Sequence, residues 1–376
     1  MKIAVDARTL GSRPSGVGMY LNDFLKVLMK YREFEFVLLS DVAESEYIRY
    51  FMEKGIPVIT QGKAVYRSAG VYSYFSFIQK QLNEIQPDLF WEVNTIIPIR
   101  LKGNFKTMIT IHDMFPIEYV EYFGIVYSLY FKHNLAKTLR NTDMILYNSI
   151  QTKKTTEKLF PAARKIANCN AYIIANPLKD TWETTDKGYF LYVGNMEKRK
   201  GVDLLLKGYR RYRGREMYLS YERYRELGGT KELILAGKMQ EDDIDSLLKE
   251  TMAQTKGITY LDYVTHDKKH QLFADCSCFV FPSKAEGFGM PLIEVMKFGK
   301  PMIVGNLDIY DEIIGQHGDR FDLNGTEQHQ IDNLAEKMLH FNSNVDEEAY
   351  KEIIAKYAPE KLGRIVRDFI LTIQKG

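Results

Sequence analysis

The stretch FPSKAEGFGMPLIEVMKFGKPMIVGN, residues 281–306, decides how the rest of the chain is read. The apolar run Cys278–Phe281 leads into it as a buried strand. Pro282 and Ser283 break that strand, and Gly287 and Gly289 open a tight loop. A helix is predicted to start near Met290–Pro291, where the missing N–H of proline costs nothing. Gly299 and Pro301 end it, and Met302–Val304 is the next strand. Glu286 therefore falls in the loop and Glu294 one turn into the helix, with seven residues between them. Backbone N–H groups at such a helix start, here Phe288, Gly289 and Met290, suit a phosphate. A carboxylate one turn further on can accept both hydroxyls of a ribose. An ordinary strand-to-helix loop with two solvated glutamates would carry either feature alone. Their joint occurrence in one strand–loop–helix unit is what points to a ligand site.

Composition narrows the rest. At 376 residues, 45% hydrophobic and 27% charged, the chain has material for two cores. A net charge of +2 gives no electrostatic case for nucleic acid as a partner. Cys169, Cys276 and Cys278 show neither a disulfide framework nor metal-ligand spacing, which suits a reducing compartment. A strand-like run follows Lys2 at once, so no signal peptide is expected, and no apolar run reaches the 18 residues of a membrane span.

In chain order, strands are predicted at Ile3–Val5, Phe34–Ser40, Pro57–Thr60, Asp88–Val93, Lys106–Ile111, Met144–Asn148 and Tyr172–Ala175, with a clear helix at 73–84. Strands alternating with helices mean a doubly wound parallel sheet. Gly16 and Gly18, after the first strand, either make a plain turn or let backbone approach a ligand. His112 leaves its strand at the edge where open sheets bind ligands, and a neutral imidazole there could donate a hydrogen bond to a ligand hydroxyl. Ser149 reads as a helix cap. The polar, aperiodic segment 177–187 is expected to be an interdomain linker.

A second series follows, with strands at Tyr189–Val193, Leu233–Ala236, Thr259–Val264 and Cys278–Phe281. Arg199 and Lys200 fall between a strand end and a helix start, either as a solvated charge run or as a diphosphate clamp. The Arg- and Tyr-rich segment 208–229 is either a solvated helical insertion or a surface for anionic lipid or a protein partner.

The composite at 281–306 resembles the signature of family-four glycosyltransferases, retaining enzymes of the GT-B fold whose hallmark is a glutamate pair separated by seven residues. The resemblance extends over nearly the whole chain. It implies an α/β protein of two Rossmann-like doubly wound domains facing each other across a cleft: 1–176, a linker at 177–187, 188–358, and a helix at 359–376 crossing back to the first domain. It places Gly16, Gly18, Arg199 and Lys200 on the donor diphosphate and Tyr263 and Val264 at the nucleotide base. Phe288, Gly289, Met290 and Glu294 join the donor site, with Glu294 on the ribose, while His112 and Glu286 are the catalytic candidates, orienting sugar hydroxyls at the anomeric carbon. No metal or cofactor is implied beyond the nucleotide-diphosphate sugar. Asp242–Asp243 is the nearest counterpart of a metal-binding Asp-x-Asp and is expected far from the signature. The run VGNMEKRK looks most like bacterial mannosyl- and rhamnosyltransferases of surface polysaccharides, which implies a glycan or lipid-linked acceptor and a cytoplasmic protein, resting in places on the inner membrane face. A sugar-nucleotide epimerase of this architecture, which needs no acceptor, and a non-catalytic partner subunit, which binds without turnover, are the alternatives.

Overall fold

The apolar runs become the strands of two sheets in the computed structural model, and every strand pairing is parallel. The structure describes residues 1–11, 14–65, 68–172, 184–218 and 230–372. The chain divides into two units, Met1–Pro177 with Lys356–Gly376, and Leu178–Ala355.

The first unit alternates β1 (Lys2–Asp6), α1 (Gly16–Leu28), β2 (Glu35–Ser40), α2 (Glu46–Glu53), β3 (Val58–Thr60), α3 (Ser68–Ile85), β4 (Leu89–Glu92) and β5 (Lys106–Ile111). It continues with the short α4 (Phe115–Glu118) and α5 (Val120–Phe123), then α6 (Ile125–Leu139), β6 (Met144–Tyr147), α7 (Ile150–Leu159) and β7 (Ala167–Asn170). The sheet order is β3-β2-β1-β4-β5-β6-β7, so the winding reverses between β1 and β4. Strand alternation sends Phe90 into a core with Tyr74, Phe75 and Ile78 of α3, and turns Trp91 toward Phe24 of α1, ring centroids 5.9 Å apart. Burial on both faces is why these strands read as continuous apolar runs. Ser149 caps α7, its hydroxyl accepting from the Thr152 N–H at 3.0 Å.

The second unit contains β8 (Tyr189–Val193), α8 (Val202–Tyr218), β9 (Glu232–Ala236), α9 (Asp242–Gln254), β10 (Ile258–Leu261), α10 (His266–Asp275), β11 (Cys278–Phe281) and α11 (Met290–Met296). Then come β12 (Met302–Gly305), α12 (Asp308–Ile313), β13 (Asp319–Phe321), α13 (Glu327–Leu339) and α14 (Glu347–Ala355). Its order, β10-β9-β8-β11-β12-β13, reverses between β8 and β11. The last helix, α15 (Pro359–Leu371), belongs to the first unit and packs on α1.

Several expectations are corrected. The last strand of the first unit is Ala167–Asn170, not Tyr172–Ala175; it lies at the sheet edge, where polar residues pair with β6 as readily as apolar ones. Of the expected strand, 173–175 fall outside the described residues. The strand expected at Thr259–Val264 ends at Leu261, which leaves Tyr263 and Val264 in the following loop. Segment 208–229 is neither an independent insertion nor wholly surface. Its first part continues α8, with Tyr209 and Tyr212 buried in the core, and Arg210 and Arg211 paired with Glu250 and Asp332. Residues 219–229, and most of the expected linker, lie outside the described residues; Thr185 and Lys187 donate their backbone N–H groups to Ala274 and Asp275 of the second unit.

α15 approaches α1 closely at Gly363, where a Cβ would sit 2.5 Å from Val27 Cγ1 and 3.1 Å from the Tyr31 hydroxyl. Gly363→Val should therefore overpack this contact and destabilise the first unit by about 1–3 kcal/mol, read as a lower urea midpoint at unchanged m-value. An unaltered midpoint would show that α15 adds nothing to the stability of that unit.

Candidate active site

Ligands of open α/β sheets bind where the strand order reverses, beyond the carboxyl ends of the strands. In the second unit that edge is formed by the loops after β8 and β11. The first carries Arg199 and Lys200 in a single 3-10 turn, Lys198–Lys200, and the second carries Glu286 and Gly289. Gly201 closes the turn at φ 68°, and a Cβ there would run into the Pro282 carbonyl oxygen. The Lys284 N–H donates to the Arg199 carbonyl at 2.9 Å, and the Arg199 guanidinium donates to the Ala285 carbonyl at 3.1 Å. Backbone contacts thus fasten the two loops into one body.

The side chains of that body are charge-balanced. Lys200 Nζ donates to Glu286 Oε1 at 2.6 Å, with the Glu286 side chain only 6% exposed. Arg199 grips Glu197 at 2.5 Å, and Lys198 grips Asp243 at 2.6 Å. Glu294, on α11, is held at 2.6 Å by Lys269 of α10. The start of α9 lies beside the Lys198–Lys200 turn. Asp243 is engaged by a lysine there, and among the described residues no group of three or more His, Cys, Asp or Glu could hold a metal ion. α11 spans only seven residues, so its dipole is small. The Phe288 side chain is buried, leaving its backbone for contact; Tyr263 is exposed in the loop before α10, and Val264 is half-buried beside it.

In the first unit the same edge lies between β1 and β4. Gly18 is required by the protein itself: a Cβ would collide with the Thr9 carbonyl and the Pro14 ring, so the turn reading accounts for it. Gly16 faces open space at the first position of α1, three residues earlier than a helix starting after Gly18 would begin. His112, just after β5, approaches the Val93 carbonyl with Nε2 at 2.9 Å. A carbonyl only accepts, so Nε2 carries the hydrogen and Nδ1 presents a lone pair. With Nε2 taken, the remaining nitrogen, Nδ1, can only accept, so in this tautomer the donation expected of His112 is not available. Burial lowers its pKa to about 4, against a smaller opposing pull from the Val93 carbonyl. The Asn148 side chain fixes the His112 carbonyl at 2.7 Å.

A buried cluster at this edge was missed from the sequence. Arg8 donates to Glu92 Oε1 at 3.1 Å and lies 3.1 Å from Asp6 Oδ2, over the Tyr74 and Phe75 rings. Tyr74 donates its hydroxyl to Asp6 Oδ1 at 2.8 Å. Burial, and next the Asp6 carboxylate, push Glu92 well above the usual carboxyl range. The signal was a lone acid in the apolar strand LFWE. Directly afterwards Thr95 takes φ 72°, a conformation that costs a β-branched residue about 1–3 kcal/mol. Its hydroxyl donates to the Thr110 carbonyl at 2.8 Å, which helps hold it there.

Two reversed parallel sheets, each with its functional groups at the switch point, define the GT-B class, and solved structures of that class superimpose along the whole chain. Sucrose-phosphate synthase from Thermosynechococcus elongatus matches with a TM-score of 0.74 at 12% identity, covering 100% of this chain and 99% of that one. HepE from Anabaena, in complex with UDP-glucose, matches with a TM-score of 0.71 at 15% identity, covering 99% and 100%. Residues 178–360 match the family described as "Glycosyl transferases group 1". The chain carries a group 1 glycosyl transferase domain and is a glycosyltransferase. It is 26% identical over 348 residues to O-antigen chain mannosyltransferase B of Escherichia coli, covering 85% of this chain and 86% of that one. It is 24% identical over 321 residues to O-antigen chain mannosyltransferase RfbU of Salmonella typhimurium, covering 82% and 84%. No helix among the described residues is long and apolar enough to cross a membrane.

The lowered pKa of His112 has a sign that can be checked. Between its ordinary value and about 4, the unfolded chain binds a proton that the native imidazole does not, so native stability falls as pH falls through that window. The slope approaches about 1.4 kcal/mol per pH unit. His112→Gln should remove that component in denaturant titrations between pH 6.5 and 4, and an unchanged slope would contradict a neutral buried imidazole.

Proposed function

We propose that the chain transfers a hexose or deoxyhexose, mannose foremost, from a nucleotide-diphosphate sugar to a glycan or lipid-linked acceptor of bacterial surface polysaccharide, with retention at the anomeric carbon. The observation that carries this reading is the Lys200–Glu286 pair, 2.6 Å apart on loops fastened together at the switch point of the group 1 domain. Its likeness to O-antigen mannosyltransferases supports mannose and the polysaccharide acceptor.

Arg199 and Lys200 bind the diphosphate and offset the negative charge that grows on it as the bond to the sugar breaks. Each already holds a carboxylate, so binding exchanges partners without leaving a bare cation. Glu294 accepts from the ribose hydroxyls, with Tyr263 and Val264 beside the base, and the backbone at Gly289 and Met290 next to the phosphates. Glu286 accepts a hydroxyl hydrogen of the sugar. The acceptor oxygen bonds to the anomeric carbon on the face that the phosphate oxygen leaves, and its proton passes to the departing phosphate. No cofactor takes part, and protein cations do the work of a metal.

Turnover of Lys200→Ala and Glu286→Gln with GDP- and UDP-hexoses, in excess chelator, tests this. Each variant should lose on the order of a hundredfold in kcat, and chelator should leave the wild type unaffected. Near-normal rates in both variants, or abolition by chelator alone, would refute it.

We also propose that the protein works at the cytoplasmic face of the membrane and touches anionic lipid. The surface for this is better placed on residues 120–129 than on 208–229. Val120, Ile125, Val126, Tyr127 and Leu129 are all exposed, and exposed Lys132, Lys137 and Arg140 follow on or directly after α6. Val126→Glu with Leu129→Glu should weaken sedimentation with phosphatidylglycerol vesicles several-fold at low salt. Equal partitioning of this variant and the wild type would exclude the surface.

A further inference from the structure

The loop after β4 is built more tightly than a turn between sheet elements requires, and every tie converges on one residue. The Asn94 N–H donates to Glu92 Oε1 at 2.8 Å, and that same oxygen accepts from Arg8. On one side of Asn94, the Val93 carbonyl receives His112 Nε2; on the other, Thr95 is held at φ 72° by its bond to the Thr110 carbonyl. The Asn94 carbonyl accepts from the Ile96 N–H at 2.8 Å. Both backbone groups of Asn94 are thus occupied, while the side-chain amide of this half-buried residue has no partner among the described residues. An amide on a backbone fixed in this way keeps an open donor and an open acceptor side by side, the complement of two adjacent hydroxyls. Val93, the residue before Asn94, meets His112 through its carbonyl, and Thr95, the residue after it, meets Thr110, so Asn94 sits in the loop that flanks the end of β5.

We propose that Asn94 is a specificity-determining residue, its amide both donating to and accepting from adjacent hydroxyls of a sugar ring at the edge that also carries the His112 Nδ1. Strain at Thr95 and the Arg8–Glu92 contact are the means of holding it in place. This rests on the transferase reading for the identity of the ligand as a sugar. A ring diol is common to the donor sugar and to a glycan acceptor, and the test separates them.

Steady-state kinetics with GDP-mannose as donor and octyl α-mannoside as acceptor should be compared for the wild type, Asn94→Ala and the isosteric Asn94→Asp. A rise of tenfold or more in KM for octyl α-mannoside alone assigns the amide to the acceptor. The same rise for GDP-mannose alone, with binding of free GDP unchanged, assigns it to the donor sugar. Movement below twofold in both overturns the inference, as does an equal fall in affinity for free GDP, which would mark a general structural defect. Saturation transfer from protein to octyl α-mannoside or to the mannose ring of GDP-mannose gives a readout independent of turnover. If the wild type binds a mannosyl ring but does not turn over, the transfer reading fails while loss of that signal in Asn94→Asp still supports the inference. A signal equal in wild type and variants, or lacking in all three, overturns it.

Discussion

The geometry of the second unit depends on one close approach, that of the Gly201 backbone to the Pro282 carbonyl. Space for a hydrogen atom, and not for a methyl group, separates the end of the Lys198–Lys200 turn from the start of the signature loop. Arg199, Lys200 and Glu286 take their mutual positions from that contact, together with the two hydrogen bonds that donate from Lys284 and to Ala285. Side chains on separate loops ordinarily drift by more than catalysis tolerates. Here they share a backbone junction, so precision is a property of the fold and not of the side chains.

The ion pairs built on that junction leave a site that is polar without being strongly charged. Lys198, Arg199, Lys200 and Lys269 each hold a carboxylate. A fully exposed cluster of four cations would attract any polyanion; a balanced one discriminates by geometry, since a ligand must offer better-placed oxygens than the resident carboxylates. In the first unit the matching choice is neutrality. Burial holds the His112 imidazole down and the Glu92 carboxyl up, and both shifts disfavour the charged forms these residues would have in water.

How much of this was legible follows from where the physics is local. Strands buried on both faces announce themselves as apolar runs, and the glycine and proline punctuation around Glu286 and Glu294 marked the loop that matters. The edge strands β7 and β13 stayed hidden, because sequences such as ANCN and DRF are held by a neighbour's hydrogen bonds and not by their own burial. Tyr209 and Tyr212 looked like surface decoration for the opposite reason: alternation with arginine on a helix disguises an inward face. Pairing is a tertiary fact. Nothing near Lys200 in sequence says that it meets Glu286, and nothing around His112 says which nitrogen is free. The Arg8–Glu92 contact spans 84 positions, and only the unusual acid in β4 hinted at it.

The return of α15 to the first unit sets an order on synthesis. Its partner α1 emerges near the start of translation, but α15 emerges only after residues 178–355 have been made. At about 5–20 residues per second that interval is roughly 10–40 s. During it the second unit gains its own strands one by one, whereas the first waits with one apolar helix face uncovered. The half that begins first therefore finishes last.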